Sequence, residues 1–221
     1  MKKLFVFLMA TLCMTTAFAQ VSIGGGGFVT GNFSTWSLDK DQPGSLNRYN
    51  ASHLSIAPFV FVDLRFVELS LGLPLGWLKA DSTMSADPNF PAQTLALRGS
   101  AYLKLPFSLS SSITLFPLLG VDYDFYLRAR RDDDRDAVFP ISNSTSNAKA
   151  REALNTLWFK AGIGLDTALT NRLFIRTEFL YGLRLPNKME KYLKDVRDSE
   201  TKKMFTHGGD FKIAVGYRLK Q

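Results

Sequence analysis

The chain has 221 residues, with 27 Lys and Arg against 20 Asp and Glu, a net charge of +7 and a mean hydropathy of −0.02. After the first twenty residues no run of about 18 uncharged apolar residues occurs, which excludes a transmembrane helix, and the single cysteine, Cys13, sits in the leader, which excludes a disulfide framework. The cations are interspersed with acids in an exported chain, so no nucleic-acid partner is expected and a negatively charged membrane surface is the better one.

Residues 1–19 read as a cleaved signal peptide. Lys2 and Lys3 form a basic start, residues 4–12 an apolar stretch too short to span a bilayer, and Ala17-Phe18-Ala19 a small-x-small cleavage site. Leu12 stands where a lipoprotein would carry a small residue before Cys13, so the mature chain is expected to begin at Gln20. Residues 20–221 read as one domain without linker or repeat.

That domain contains eight segments in which apolar and polar residues alternate, the pattern of a strand with two unlike faces. The first is expected over 21–33, through the four glycines 24–27. The second covers 53–62, and a tight connection at 63–65 leads to the third, 67–77. There Val67, Leu69, Leu71, Leu73, Leu75 and Trp77 share one face, while Glu68, Ser70, Gly72, Pro74 and Gly76 share the other. The fourth covers 95–105, the fifth 113–127, the sixth 157–166, the seventh 173–184 and the eighth 210–219. Pro58, Pro74 and Pro117 interrupt the ladder wherever they fall, because proline has no N–H to donate. The connections after strands one, three, five and seven are long and polar, and those after two, four and six are short.

Eight greasy faces with nothing helical of core length between them point to an all-β fold, an eight-stranded antiparallel up-and-down transmembrane barrel with lipid outside and a polar lumen. A further hairpin hidden in 128–156 would make ten strands. A soluble ligand-binding barrel needs polar outward faces, and the row Leu69, Leu71, Leu73, Leu75 opposes it.

The signal, the eight strands, the long–short alternation and the terminal strand Gly209-Asp-Phe-Lys-Ile-Ala-Val-Gly-Tyr-Arg-Leu219 together resemble the small outer-membrane β-barrels, the OmpA-transmembrane, OmpX and OmpW-like group. The resemblance covers residues 21–219 and is one of architecture. It implies an outer-membrane location, outer-membrane lipids as surroundings, and recognition of the last strand by the barrel-assembly machinery. This chain departs from the pattern by ending Leu219-Lys220-Gln221 instead of in an aromatic residue.

By parity the lumen receives Glu68, Arg98, Lys104, Asp122, Asp124, Lys160, Asp166, Arg176, Glu178, Arg184, Asp210, Lys212 and Arg218. An eight-stranded barrel is just wide enough to be filled by side chains or to hold one small ligand. A plug of mutually neutralising ion pairs is therefore the favoured reading, with Tyr102, Phe116, Tyr126, Trp158 and Phe174 adding bulk. A narrow porin or carrier lined by the same residues is the alternative. Phe33, Trp77, Tyr123 and Phe125 fall on outward faces toward the outer ends and are expected to form an aromatic girdle. His53-Leu54-Ser55 has the spacing of the His-x-Ser pair of some outer-membrane lipid A deacylases, and both side chains share a face. They point into the lumen and lie too early in the chain, so His53 is read as a polar rim residue and no catalytic residue is assigned. No metal or cofactor is expected. The charged run 128–136 reads as a solvated loop, and Met189, Tyr192, Leu193 and Val196 recur at helical spacing. The function expected from this is non-enzymatic: contact with extracellular surface ligands, or stabilisation of the envelope, through long outer loops.

Overall fold

The computed structural model describes residues 21–38, 48–80, 93–130, 155–185 and 201–219, and every regular element in them is a strand. In chain order these are β1 (Ser22–Leu38), β2 (Arg48–Asp63), β3 (Val67–Gly72), β4 (Leu75–Ala80), β5 (Gln93–Lys104), β6 (Phe107–Ser108), β7 (Ile113–Arg130), β8 (Thr156–Ala168), β9 (Leu173–Arg184) and β10 (Thr201–Arg218). They build eight staves, because β3 and β4 share one between β2 and β5, and β6 extends that of β5 along β7. All neighbours are antiparallel. The sheet closes where β1 pairs with β10, from Ser22 opposite Arg218 to Leu38 opposite Thr201. Closure leaves no unpaired edge, which is what a sheet surrounded by hydrocarbon requires.

Burial is the reverse of that in a soluble domain. Leu103 is 64% exposed and Ile163 58%, while Arg176 is 1% exposed and Asp210 fully buried. On β5 every second residue from Thr94 to Lys104 is buried, and the same alternation runs along β9. The outer wall is aliphatic and aromatic, and the polar side chains face inward. Such a wall is stable against lipid and not against water.

Pro74 splits the third stave into β3 and β4. The ladder survives the break because Leu73 N donates to Pro58 O (3.1 Å) and Ala96 N to Pro74 O (3.0 Å). Pro58 and Pro117 stay inside their strands, opposite Gly27 and Ile163. At one end the connections are short. Residues 64–66 turn with Arg65 at φ 71°, and residues 169–172 turn between β8 and β9.

Several strands run further than the apolar alternation predicts. β1 reaches Leu38 instead of Phe33, β2 starts at Arg48 instead of His53, and β10 starts at Thr201 instead of Asp210. The extra residues pair with one another: Ser34 to Ser37 lie between Arg48 to Ala51 and Lys203 to Thr206. Backbone ladders need no greasy face once they leave the bilayer, so alternation marks only the lipid-facing part of each strand. The signal segment, most of the charged run 128–136, and Met189 to Val196 lie outside the described residues.

Candidate functional site: the charged interior

Inward-pointing side chains form two ion-pair clusters stacked along the barrel axis. Toward the long-connection end, Arg98 on β5 grips Asp124 on β7 with one edge of its guanidinium, Nε to Oδ1 at 2.6 Å and Nη2 to Oδ2 at 2.9 Å. Its third nitrogen, Nη1, donates to Thr30 Oγ1 at 3.0 Å and lies 3.4 Å from Asp210 Oδ2. Thr30 in turn donates to Asp210 Oδ1 at 2.7 Å. Lys160 on β8 bridges Asp122, at 2.8 Å, and Asp210, while Tyr102 donates its hydroxyl hydrogen to Asp122. Five staves are thus tied across the lumen by one connected set of charges and hydroxyls.

Toward the short-turn end, Arg176 on β9 plays the same part. Its Nε and Nη2 meet the two oxygens of Asp166, each at 2.7 Å. Nη1 pairs with Glu68 on β3, and Nη2 also with Asp63 on β2, which takes Lys104 on β5 as a second cation. The guanidinium is walled by the rings of Phe61, Phe116 and Phe174, at 4.6, 5.0 and 5.2 Å from their centroids. Phe61 and Phe174 belong to an inner aromatic layer with Phe28 and Phe59. Space for these rings comes from inward glycines: an added Cβ would collide with Phe61 at Gly24, with Phe116 at Gly164 and with Phe174 at Gly216.

Between the clusters the pairing thins. Lys212 Nζ is 3.4 Å from Glu178 Oε2, and Arg176 Nε is 3.9 Å from Glu178 Oε1, yet neither Glu178 oxygen accepts a hydrogen bond. Among the described residues the buried acids are Asp63, Glu68, Asp122, Asp124, Asp166, Glu178 and Asp210, and the buried bases are Arg98, Lys104, Lys160, Arg176 and Lys212. That is seven against five. Each cluster holds three acids against two bases, Glu178 and Lys212 add one of each between them, and Glu68 Oε1, Asp122 Oδ2 and both Glu178 oxygens accept no hydrogen bond.

Of the thirteen charges expected in the lumen, eleven are buried there, and Arg184 and Arg218 are half-buried toward the two rims. Asp63, which the alternation places in the connection after strand two, also lies in the interior. The signal was present: strand two points Leu54, Ile56, Pro58, Val60 and Val62 outward, and the same parity carried one step further turns Asp63 inward.

Phe33, Trp77 and Tyr123 are exposed on the outer wall, and Phe125 is half-buried. An aromatic group not foreseen joins Phe33 there: Tyr181 Oη lies 2.8 Å from His207 Nδ1, and the rings of Phe33, Tyr181 and Phe205 lie within 5.9 Å of the imidazole. His53 points inward as expected, but its Nε2 is engaged with Thr94 Oγ1 at 3.0 Å. The Ser55 hydroxyl is buried without a hydrogen-bond partner, so no His53–Ser55 dyad is formed.

No family model matches the chain, and no curated protein matches it. Solved structures similar to it include outer-membrane proteins. The outer membrane protein OprG of Pseudomonas aeruginosa has a TM-score of 0.47 and 12% identity over 92% of this chain and 97% of its own. Ail, the attachment invasion locus protein of Yersinia pestis, has 0.36 and 11% over 89% and 99%. The outer membrane protease OmpT of Escherichia coli has 0.41 and 7% over 91% and 97%. The assignment to a transmembrane barrel rests on the closed sheet and its inverted burial.

Proposed function

We propose that the protein is an integral outer-membrane barrel that acts at its ends, through its outer connections, in a non-enzymatic surface-contact or envelope-stabilising role. The observation that carries this reading is the interior itself. Arg98 and Arg176 each bind carboxylates on opposite walls, and the lumen between them is occupied by the side chains that complete those pairs. A solute path needs mobile or single-sign lining charges, whereas these are locked to one another by bidentate contacts. With the wall given to lipid and the lumen to the plug, the polar segments 39–47, 81–92, 131–154 and 186–200 are what remains to meet other molecules. The engagement of His53 by Thr94 supports the non-enzymatic side of the reading.

The test is a deletion strain complemented either with the full chain or with a chain whose outer segments are cut to short turns. Surface binding and resistance to detergent are measured in both. The full chain should restore the lost property and the shortened chain should not. Indistinguishable deletion and parent strains, or full rescue by the shortened chain, would refute the proposal.

A further inference from the structure

The outer wall is not smooth. Near the short-turn end a hollow of about 660 Å³ opens over β1, walled by outward-facing Val60, Val62, Leu71, Leu173, Val215 and Tyr217. On β1 the hollow is lined by outward-facing Ile23, opposite Val62 and Tyr217, and by Gly24, and the next outward position, Gly25, opposite Val60 and Val215, carries no side chain. The floor is Ile23 and glycine backbone, and the flanks are the aliphatic chains and the Tyr217 ring on the neighbouring strands.

A second, independent feature marks the edge of this hollow. It opens between the turn 64–66, which carries exposed Arg65, and the turn 169–172, which carries exposed Arg172. Arg172 Nη1 donates to the hydroxyl of Tyr217, one of the walls, at 2.9 Å. Half-buried Arg218 lies at the same rim, donating to Asn171 O at 3.4 Å. Among the described residues at this end no exposed acid accompanies these three arginines; Asp63 and Asp166 are buried and paired inward. The rim is therefore cationic with one sign of charge, at the level where an apolar wall gives way to water.

We propose that this hollow is a binding site for one anionic phospholipid of the inner leaflet, with an acyl chain lying over Ile23 and Gly24 and the phosphate held by Arg172. A guanidinium anchored through one nitrogen by Tyr217 still presents its remaining N–H groups, and these match two phosphate oxygens. Single-sign charge beside an apolar recess fits an amphiphile with a negative head, and fits neither a free anion nor a second apolar wall. This inference rests on the reading of the outer wall as lipid-facing.

The test uses protein extracted from membranes in a non-ionic detergent and examined by native mass spectrometry with added phosphatidylglycerol, diacylglycerol or inorganic phosphate. Val60→Trp fills the hollow from a position 60% exposed, and Arg172→Glu reverses the rim charge. Leu103→Trp, on β5 outside the hollow, is the control. All three are first checked for heat-sensitive gel mobility; a parent protein without it would count against the barrel reading and not against the site. The parent should hold one phosphatidylglycerol tightly, and both site variants should lower its occupancy tenfold or more. Leu103→Trp should match the parent, diacylglycerol should bind less well, and phosphate alone should leave no adduct. Equal occupancy in all four proteins overturns the proposal. So does phosphate binding as well as the phospholipid does, or a dimer that Val60→Trp dissociates, which would give the hollow to a second copy of the chain.

Discussion

Replacing Arg176 with methionine removes the charge at the hub of the lower cluster while keeping most of the side chain's volume. Asp166 then has no cation among the described residues, Glu68 loses the partner of its Oε2, and Asp63 keeps only Lys104. Leaving a buried charge without its partner costs about 3–5 kcal/mol. At a urea slope of about 2 kcal/mol per molar, that moves the unfolding midpoint down by about 1.5–2.5 M. The assay is equilibrium unfolding of the protein in lipid vesicles, followed by tryptophan fluorescence. Arg176→Met combined with Asp166→Asn and Glu68→Gln should recover to within about 1 kcal/mol of the parent, because neutral groups of similar shape replace a buried pair at little cost. A single variant that unfolds within about 0.5 M of the parent refutes the reasoning. A triple variant no better than the single one would locate the loss in packing against Phe61, Phe116 and Phe174 and not in charge.

Glu178→Gln leaves buried Lys212 without the carboxylate 3.4 Å from its Nζ and should cost about 3 kcal/mol in the same urea assay. Asp124→Asn, which breaks the bidentate contact to Arg98, should cost about 3 kcal/mol in the same urea assay. Gly164→Val drives a side chain into the Phe116 ring and should lower stability by about 2 kcal/mol or prevent refolding, while Gly99→Val, whose Cβ meets nothing within 4 Å, should be neutral. Arg65→Gly relieves a non-glycine residue at φ 71° and should raise the unfolding midpoint by the equivalent of about 0.5–1 kcal/mol.

Most of the fold was legible because a membrane barrel writes its parity openly. One residue of slip would exchange the lipid and lumen faces, so strands such as β5 and β9 could be read within two residues of their ends. Strand lengths above the membrane were not legible. In Ser34 to Leu38 and Thr201 to Thr206 the regular apolar alternation lapses, and only pairing across three strands shows that they continue the sheet. The lumen charges followed from parity, but their grouping did not. That Arg98 serves Asp124 and Asp210, and Arg176 serves Glu68, Asp63 and Asp166, depends on which residues the shear of the closed barrel brings to one level. The hollow at Ile23 and Gly24 was hidden for the same reason: which side chains of β2, β3, β9 and β10 flank it follows only from the registers of the closed sheet.

The most direct test of the plugged lumen is conductance of the purified protein in a planar bilayer, once heat-sensitive mobility and strand-rich circular dichroism establish that it is folded. The ion-pair clusters predict a folded barrel that stays electrically silent in the parent. Discrete, stable openings of the parent protein that shift when Arg98 or Asp122 is neutralised would contradict a closed interior and make those residues the lining of a channel.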